Sequence, residues 1–127
     1  MSVSVIYLRE GYTAEQKRIL IDATKRACME GLELSREHSY VFIQEIASEN
    51  MDETCTNMHL LFVYTTCGKT TEGKNLVCKG FENACHAAFG GGRSIVIFKE
   101  HADDNAGSDG FLRPFVKEIS EVEKRNT

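Results

Sequence analysis

Two stretches of this chain are copies of one another. Sliding Val3–Ile21 onto Leu60–Cys78, an offset of 57 positions, and continuing leaves Tyr7/Tyr64, Gly11/Gly68, Thr13/Thr70, Glu15/Glu72, Lys17/Lys74, Ala27/Ala84 and Cys28/Cys85 identical. Shortening the offset by two residues then sets Val41, Glu45, Ala47 and Asn50 on Val96, Glu100, Ala102 and Asn105. Identities spread over a whole supersecondary unit mark an internal duplication, so the same local structure is expected twice.

Each copy reads strand, helix, strand. Val3–Leu8 is rich in β-formers and Gly11 breaks it; Thr13 with Gln16 makes a capping box that opens a helix through about Leu32, with the apolar stripe Ile19, Leu20, Ala23, Ala27, Gly31. Tyr40–Ile46 is the second strand. The second copy repeats the order with Leu60–Tyr64, a helix from about Thr71 to Phe89 ended by Gly90-Gly91-Gly92, and Ser94–Lys99. Strands joined by a crossover helix pair in parallel, so each copy is a β-α-β unit. The expected fold is α+β: one domain with a four-stranded sheet under two helices, from repeats at about 1–55 and 56–112. Pro114 followed by Phe115, Val116, Ile119 and Val122 predicts a C-terminal amphipathic helix at about 113–125.

Quaternary structure follows from patterning. Val5–Leu8, Leu60–Val63 and Ile95–Phe98 are nearly continuous apolar runs, as in strands buried on both faces, yet two helices cover only one face. A homo-oligomer that buries sheet against sheet is the simplest partner for the other. The 127 residues, 42% hydrophobic, suffice for one core. No apolar run is long enough for a membrane span, no secretory signal stands at the N-terminus, and a net charge of −4 without a basic face gives no footprint for nucleic acid. Five cysteines without a CxxC motif read as reduced structural thiols, and a cytoplasmic location is expected.

Val5-Ile-Tyr-Leu-Arg-Glu-Gly-Tyr-Thr-Ala-Glu-Gln-Lys17, the helix after it and Val41-Phe-Ile-Gln-Glu-Ile-Ala47 resemble the 4-oxalocrotonate tautomerase pattern. The looser second copy resembles the same unit, the layout of fused superfamily members such as macrophage migration inhibitory factor, malonate semialdehyde decarboxylase and 5-carboxymethyl-2-hydroxymuconate isomerase. The resemblance implies a homotrimer with pseudo-sixfold symmetry and proton transfer between carbon and oxygen of a small substrate.

Carried over residue by residue, the resemblance puts Ser2 where the family has a catalytic proline amine. If Met1 is removed, Ser2 offers a primary amine with a reference pKa of about 8; with Met1 in place it offers an amide nitrogen. The family's two substrate-binding arginines match Tyr12 and Tyr40, which can donate hydrogen bonds but bring no positive charge, and the apolar wall of its pocket matches Met51. Lys69 is the internal counterpart of Tyr12, and Arg93 precedes the fourth strand; either could hold a monocarboxylate, or be a solvated turn residue. His59 is the internal counterpart of Ser2: a candidate imidazole base, or an ordinary surface or hydrogen-bonded histidine.

His38, His59, His86 and His101 lack metal-ligand spacing, and Gly90-Gly91-Gly92-Arg93 lacks the strand-before, helix-after setting of a phosphate loop, so neither metal nor cofactor is expected. Cys67 has no paired base, and Asp103–Asp109 reads as a solvated loop. Two functions remain: a tautomerase or isomerase of a small unsaturated 2-keto or 2-hydroxy acid with a non-proline base, or a catalytically inactive trimer that binds a small ligand or serves as a structural protein.

Overall fold

Residues 1–115 are described by a computed structural model. Strand β1 (Ser2–Arg9) leads to helix α1 (Ala14–Gly31), β2 (Ser39–Ile46), β3 (Met58–Thr66), helix α2 (Thr71–Phe89) and β4 (Arg93–His101). A two-residue-per-strand hairpin, β5 (Gly107–Ser108) and β6 (Phe111–Leu112), follows. The sheet order is β2-β1-β3-β4, with β1/β2 and β3/β4 parallel and the central β1/β3 pair antiparallel. Both β-α-β units form as the patterning requires. The expected C-terminal helix begins at Arg113–Phe115, and the rest of it lies outside the described residues.

Local chemistry places the helix ends. The Thr13 hydroxyl accepts from the Gln16 amide while the Gln16 side chain accepts from the Thr13 amide, so two orphan N–H groups of the first turn are satisfied. At α2 the Thr70 hydroxyl accepts from the Gly73 amide, with no reciprocal side-chain bond, and Gly90 closes the helix in the left-handed region at φ +80°, a conformation that costs glycine little.

Period-two alternation decides the core. Ile6 and Leu8 of β1 and Leu61 and Val63 of β3 are fully buried against Leu20, Cys28, Val77, Phe81 and Cys85 of the helices, each large side chain being worth about 1.5–3 kcal/mol. Burial pushes the Cys85 thiol up to about 12, as suits an inert core thiol. Thr24 and Cys28 are buried whereas Ile19, expected in the stripe, stays largely exposed, so the buried face of α1 is rotated slightly from the sequence reading. The helices touch through small residues, Gly31 against Gly73 and Ala27 against Gly80.

The duplication survives in register. Ser2 pairs with Ser39 and His59 with Ser94, reproducing the offsets of 57 and 55 read from the sequence. The Lys17–Glu45 ion pair recurs as Lys74–Glu100.

The other face of the sheet has no helix. It presents Val5, Tyr7, Tyr40, Phe42, Leu60, Phe62, Tyr64, Ile95 and Ile97, with Tyr7 and Phe62 edge to face at 5.7 Å, and Phe42 is 58% exposed.

Candidate functional site

Because β1 and β3 run antiparallel with Ser2 opposite Thr65, the two copies of each site position fall at opposite ends of the sheet. The turn after β3, carrying Lys69, lies at the Ser2 end, and the turn after β1, carrying Tyr12, lies at the His59 end. Of the candidate residues, Ser2, Tyr40 and Lys69 share the first end, and Tyr12, Met51 and Arg93 share the second. A single chain does not bring all six together.

At the first end the Ser2 side chain is buried, its Oγ 3.5 Å from Ser39 Oγ, and the Thr65 hydroxyl donates to the Met1 carbonyl at 3.3 Å. The Met1 amine is held below its ordinary pKa first by burial, then by the positive charges of Arg113 and Lys69, with Asp103 opposing. Lys69 donates its ammonium to the Leu32 carbonyl at 2.9 Å, capping the C-terminal end of α1. Tyr40 pairs in register with Val3 and is exposed on the open sheet face.

The second end is a ring cluster. Tyr12 lies 4.1 Å from Phe89, His59 stacks on Phe89 at 4.6 Å, and the Tyr12 hydroxyl is 3.2 Å from His59 Nε2. The Arg9 guanidinium sits over the Tyr12 ring at 4.7 Å. His59 is fully buried and its Nδ1 has no partner among the described residues. A Cβ on Gly92 would come within 2.6 Å of His59 Cε1, so this loop position has room only for glycine. His59 is thus a packed, hydrogen-bonded core histidine, and its imidazole faces the helices. Sequence reasoning treated Tyr12 and His59 separately because they belong to different repeats; the antiparallel β1/β3 pairing is what joins them.

Burial first, and then Arg9, holds the His59 pKa below its usual value, with Glu82 opposing. Since the unfolded chain takes up this proton first, stability is full above about pH 6.5 and falls as pH drops through that value toward the folded pKa. The slope is at most about 1.4 kcal/mol per pH unit for one group. Thermal melts should therefore show a loss as pH falls below about 6.5 that is missing in His59→Gln. Parallel melting curves of the two proteins against pH would contradict this.

On the open face near this end, Tyr7, Ile46, Asn50, Met51, Met58, Leu60, with Asp52 and Cys55, line a hollow of about 210 Å³. Met51 therefore does form part of an apolar wall. Arg93 opens β4 opposite Met58, and its backbone N–H donates to the Asn57 carbonyl at 2.9 Å.

Residues 5–52 match the family model described as Tautomerase enzyme. A wild-type fused 4-OT, solved as a symmetric trimer, superposes with a TM-score of 0.80 at 18% identity, over 91% of this chain and 98% of that one. Malonate semialdehyde decarboxylase gives 0.76 at 17%, over 92% and 98%. The macrophage migration inhibitory factor of Toxoplasma gondii gives 0.71 at 13%, over 87% and 98%. The first repeat thus carries the tautomerase sequence pattern, and the whole chain has the fold of the fused tautomerases. Its family sequence lies in the first repeat, and the second repeat is tied to the tautomerases by fold. No curated protein matches it in sequence.

Proposed function

We propose that this tautomerase-superfamily protein is an isomerase of a small unsaturated 2-keto or 2-hydroxy acid whose base is an amine other than proline at the head of β1. The observation that carries the reading is the cluster there: a partly buried amine whose proton affinity is lowered by burial and by Arg113 and Lys69. Such an amine is free to accept a proton near neutral pH, and the same cations attract the carboxylate of a substrate. Removal of Met1 would put the amine of Ser2 in this role; the Ser2 hydroxyl, turned into the sheet toward Ser39, takes no part.

The working form is a cytoplasmic homotrimer. The uncovered apolar face calls for further copies of the chain, and a fused 4-OT of the same fold was solved as a trimer. Assembly would combine the two ends of neighbouring chains, gathering Ser2, Tyr40 and Lys69 with Tyr12, Met51 and Arg93. The non-catalytic reading is favoured by a different observation: the polar tips of Lys69 and Tyr12 are already engaged, on the Leu32 carbonyl and on His59.

The test is ketonisation of phenylenolpyruvate by tag-free protein of verified N-terminal mass. Turnover is expected to survive Ser2→Ala, to fall about tenfold in Lys69→Met, and to vanish when the N-terminal amine is acetylated. Acetylated protein as active as the free form would sink the amine mechanism, and absence of turnover in every form would leave the ligand-binding reading.

A further inference from the structure

A second hollow, of about 230 Å³, lies on the helix side of the sheet, where the second half of α1 meets the single helical turn Arg36–His38 that leads into β2. Its walls are Asp22, Lys25, Arg26, Met29 and Arg36. The four from α1 follow the i, i+3, i+4, i+7 spacing of one helix face, turned away from the buried face of Leu20, Thr24, Ala27 and Cys28. None of these walls belongs to the apolar hollow or to the ring cluster.

Three cations against one carboxylate give this wall a net +2, in a chain whose total is −4. Lys25, Arg26 and Arg36 pair with no carboxylate among the described residues, although Asp22 shares their wall. Glu37, next to Arg36, instead receives hydrogen bonds from its own amide and from Ser35, which hold its carboxyl below the usual range. The half-buried Lys25 ammonium donates to the Ser39 carbonyl at 2.6 Å; this anchors the charge and leaves two N–H donors for a ligand. The negative end of α1 is covered too, since the Leu32 and Leu34 amides donate to the Cys28 and Met29 carbonyls.

The second repeat reverses these charges. Lys79, Glu82, Asn83 and His86 stand in the places of Asp22, Lys25, Arg26 and Met29, and Glu82 accepts from the Ser94 hydroxyl where Lys25 donates to Ser39. Both repeats keep the tie between helix and strand, while the cationic wall belongs to the first.

We propose that this hollow binds the doubly charged phosphoryl group of a small molecule, held between the guanidinium forks of Arg26 and Arg36 and the anchored ammonium of Lys25, with any apolar body against Met29. A carboxylate offers two oxygens in one plane and a single charge. A phosphoryl group offers three oxygens and nearly two charges, which suits cationic donors set on separate walls with a net +2. Occupancy here does not depend on the isomerase reading.

The experiment titrates the full chain, labelled with ¹³C-methyl methionine, with inorganic phosphate, phenyl phosphate and benzenesulfonate at constant ionic strength. Phenyl phosphate should shift the Met29 methyl and leave Met51 and Met58 in place. Arg26→Gln and Arg36→Gln, both at exposed positions, should each weaken it at least about tenfold. Lys79→Gln, the same loss of charge at an exposed position of the second repeat, should change nothing. The phosphoryl site is overturned if Met29 responds to neither phosphate, if both arginine variants bind like the unaltered protein, if Lys79→Gln weakens binding as much as they do, or if benzenesulfonate binds as tightly as phenyl phosphate. Phenyl phosphate binding more tightly than inorganic phosphate assigns a phosphate ester as the ligand; equal binding assigns free phosphate, and either result upholds the site.

Discussion

Gly31→Ala is expected to cost about 2 kcal/mol, roughly 8 °C in Tm. A Cβ at Gly31 would collide with the Gly73 carbonyl oxygen and reach within 2.8 Å of Val77 Cγ2. The obstacle is backbone, which cannot turn aside, so α1 must move off α2 and lose contact along Ala27 and Gly80. Alanine's better helix propensity, up to about 1 kcal/mol, offsets only part of this. Gly68→Ala is the contrast: nothing lies within 4 Å, and only φ of +95° opposes it, for about 1 kcal/mol. Gly31→Ala melting with the unaltered protein would mean that the helix pair can slide without penalty, and that the glycine contact does not hold it.

Phe62→Lys is expected to convert the proposed trimer to monomers, read as a drop to the mass of one chain in size exclusion with light scattering. Phe62 lies on the central strand β3, edge to face with Tyr7 on the open face. In the proposed trimer a lysine there would put an unpaired charge into every subunit contact, at several kcal/mol each. The monomer itself should remain folded, because Phe62 points away from the core of Leu61, Val63 and Phe81. An unchanged assembled mass would exclude the open face as the interface.

Much of this fold was legible because two signals with different periods agree. Thr13 with Gln16, and Thr70 with the three glycines after Phe89, bracket both helices almost to the residue. Strand ends were read short: Met58, His59, Thr65 and Thr66 belong to β3 although all but Met58 are polar, since neighbouring strands, not side chains, satisfy their backbone. The β5/β6 hairpin has no alternating pattern at all; β5 lies inside what reads as a solvated loop, and β6 follows it. In the site, Met51 was expected at the apolar wall from the resemblance, and it does line the hollow. The Tyr12–His59 hydrogen bond could not be expected, because it depends on which ends of two antiparallel strands coincide. Arg9 was quoted as part of a motif and passed over, since a lone arginine at a strand end gives no hint that an aromatic ring will hold it.

The antiparallel pairing of β1 with β3 separates positions that are twins by descent. In a ring of single repeats one codon would write the same residue at every equivalent place, so a change that improves one site alters them all. Here Ser2 and His59, or Tyr12 and Lys69, occupy equivalent places under separate genetic control. One end of the sheet has filled its place with packed rings, while the other keeps a perturbed amine. The fused chain can divide labour between its halves, with one serving the scaffold and the other left to vary.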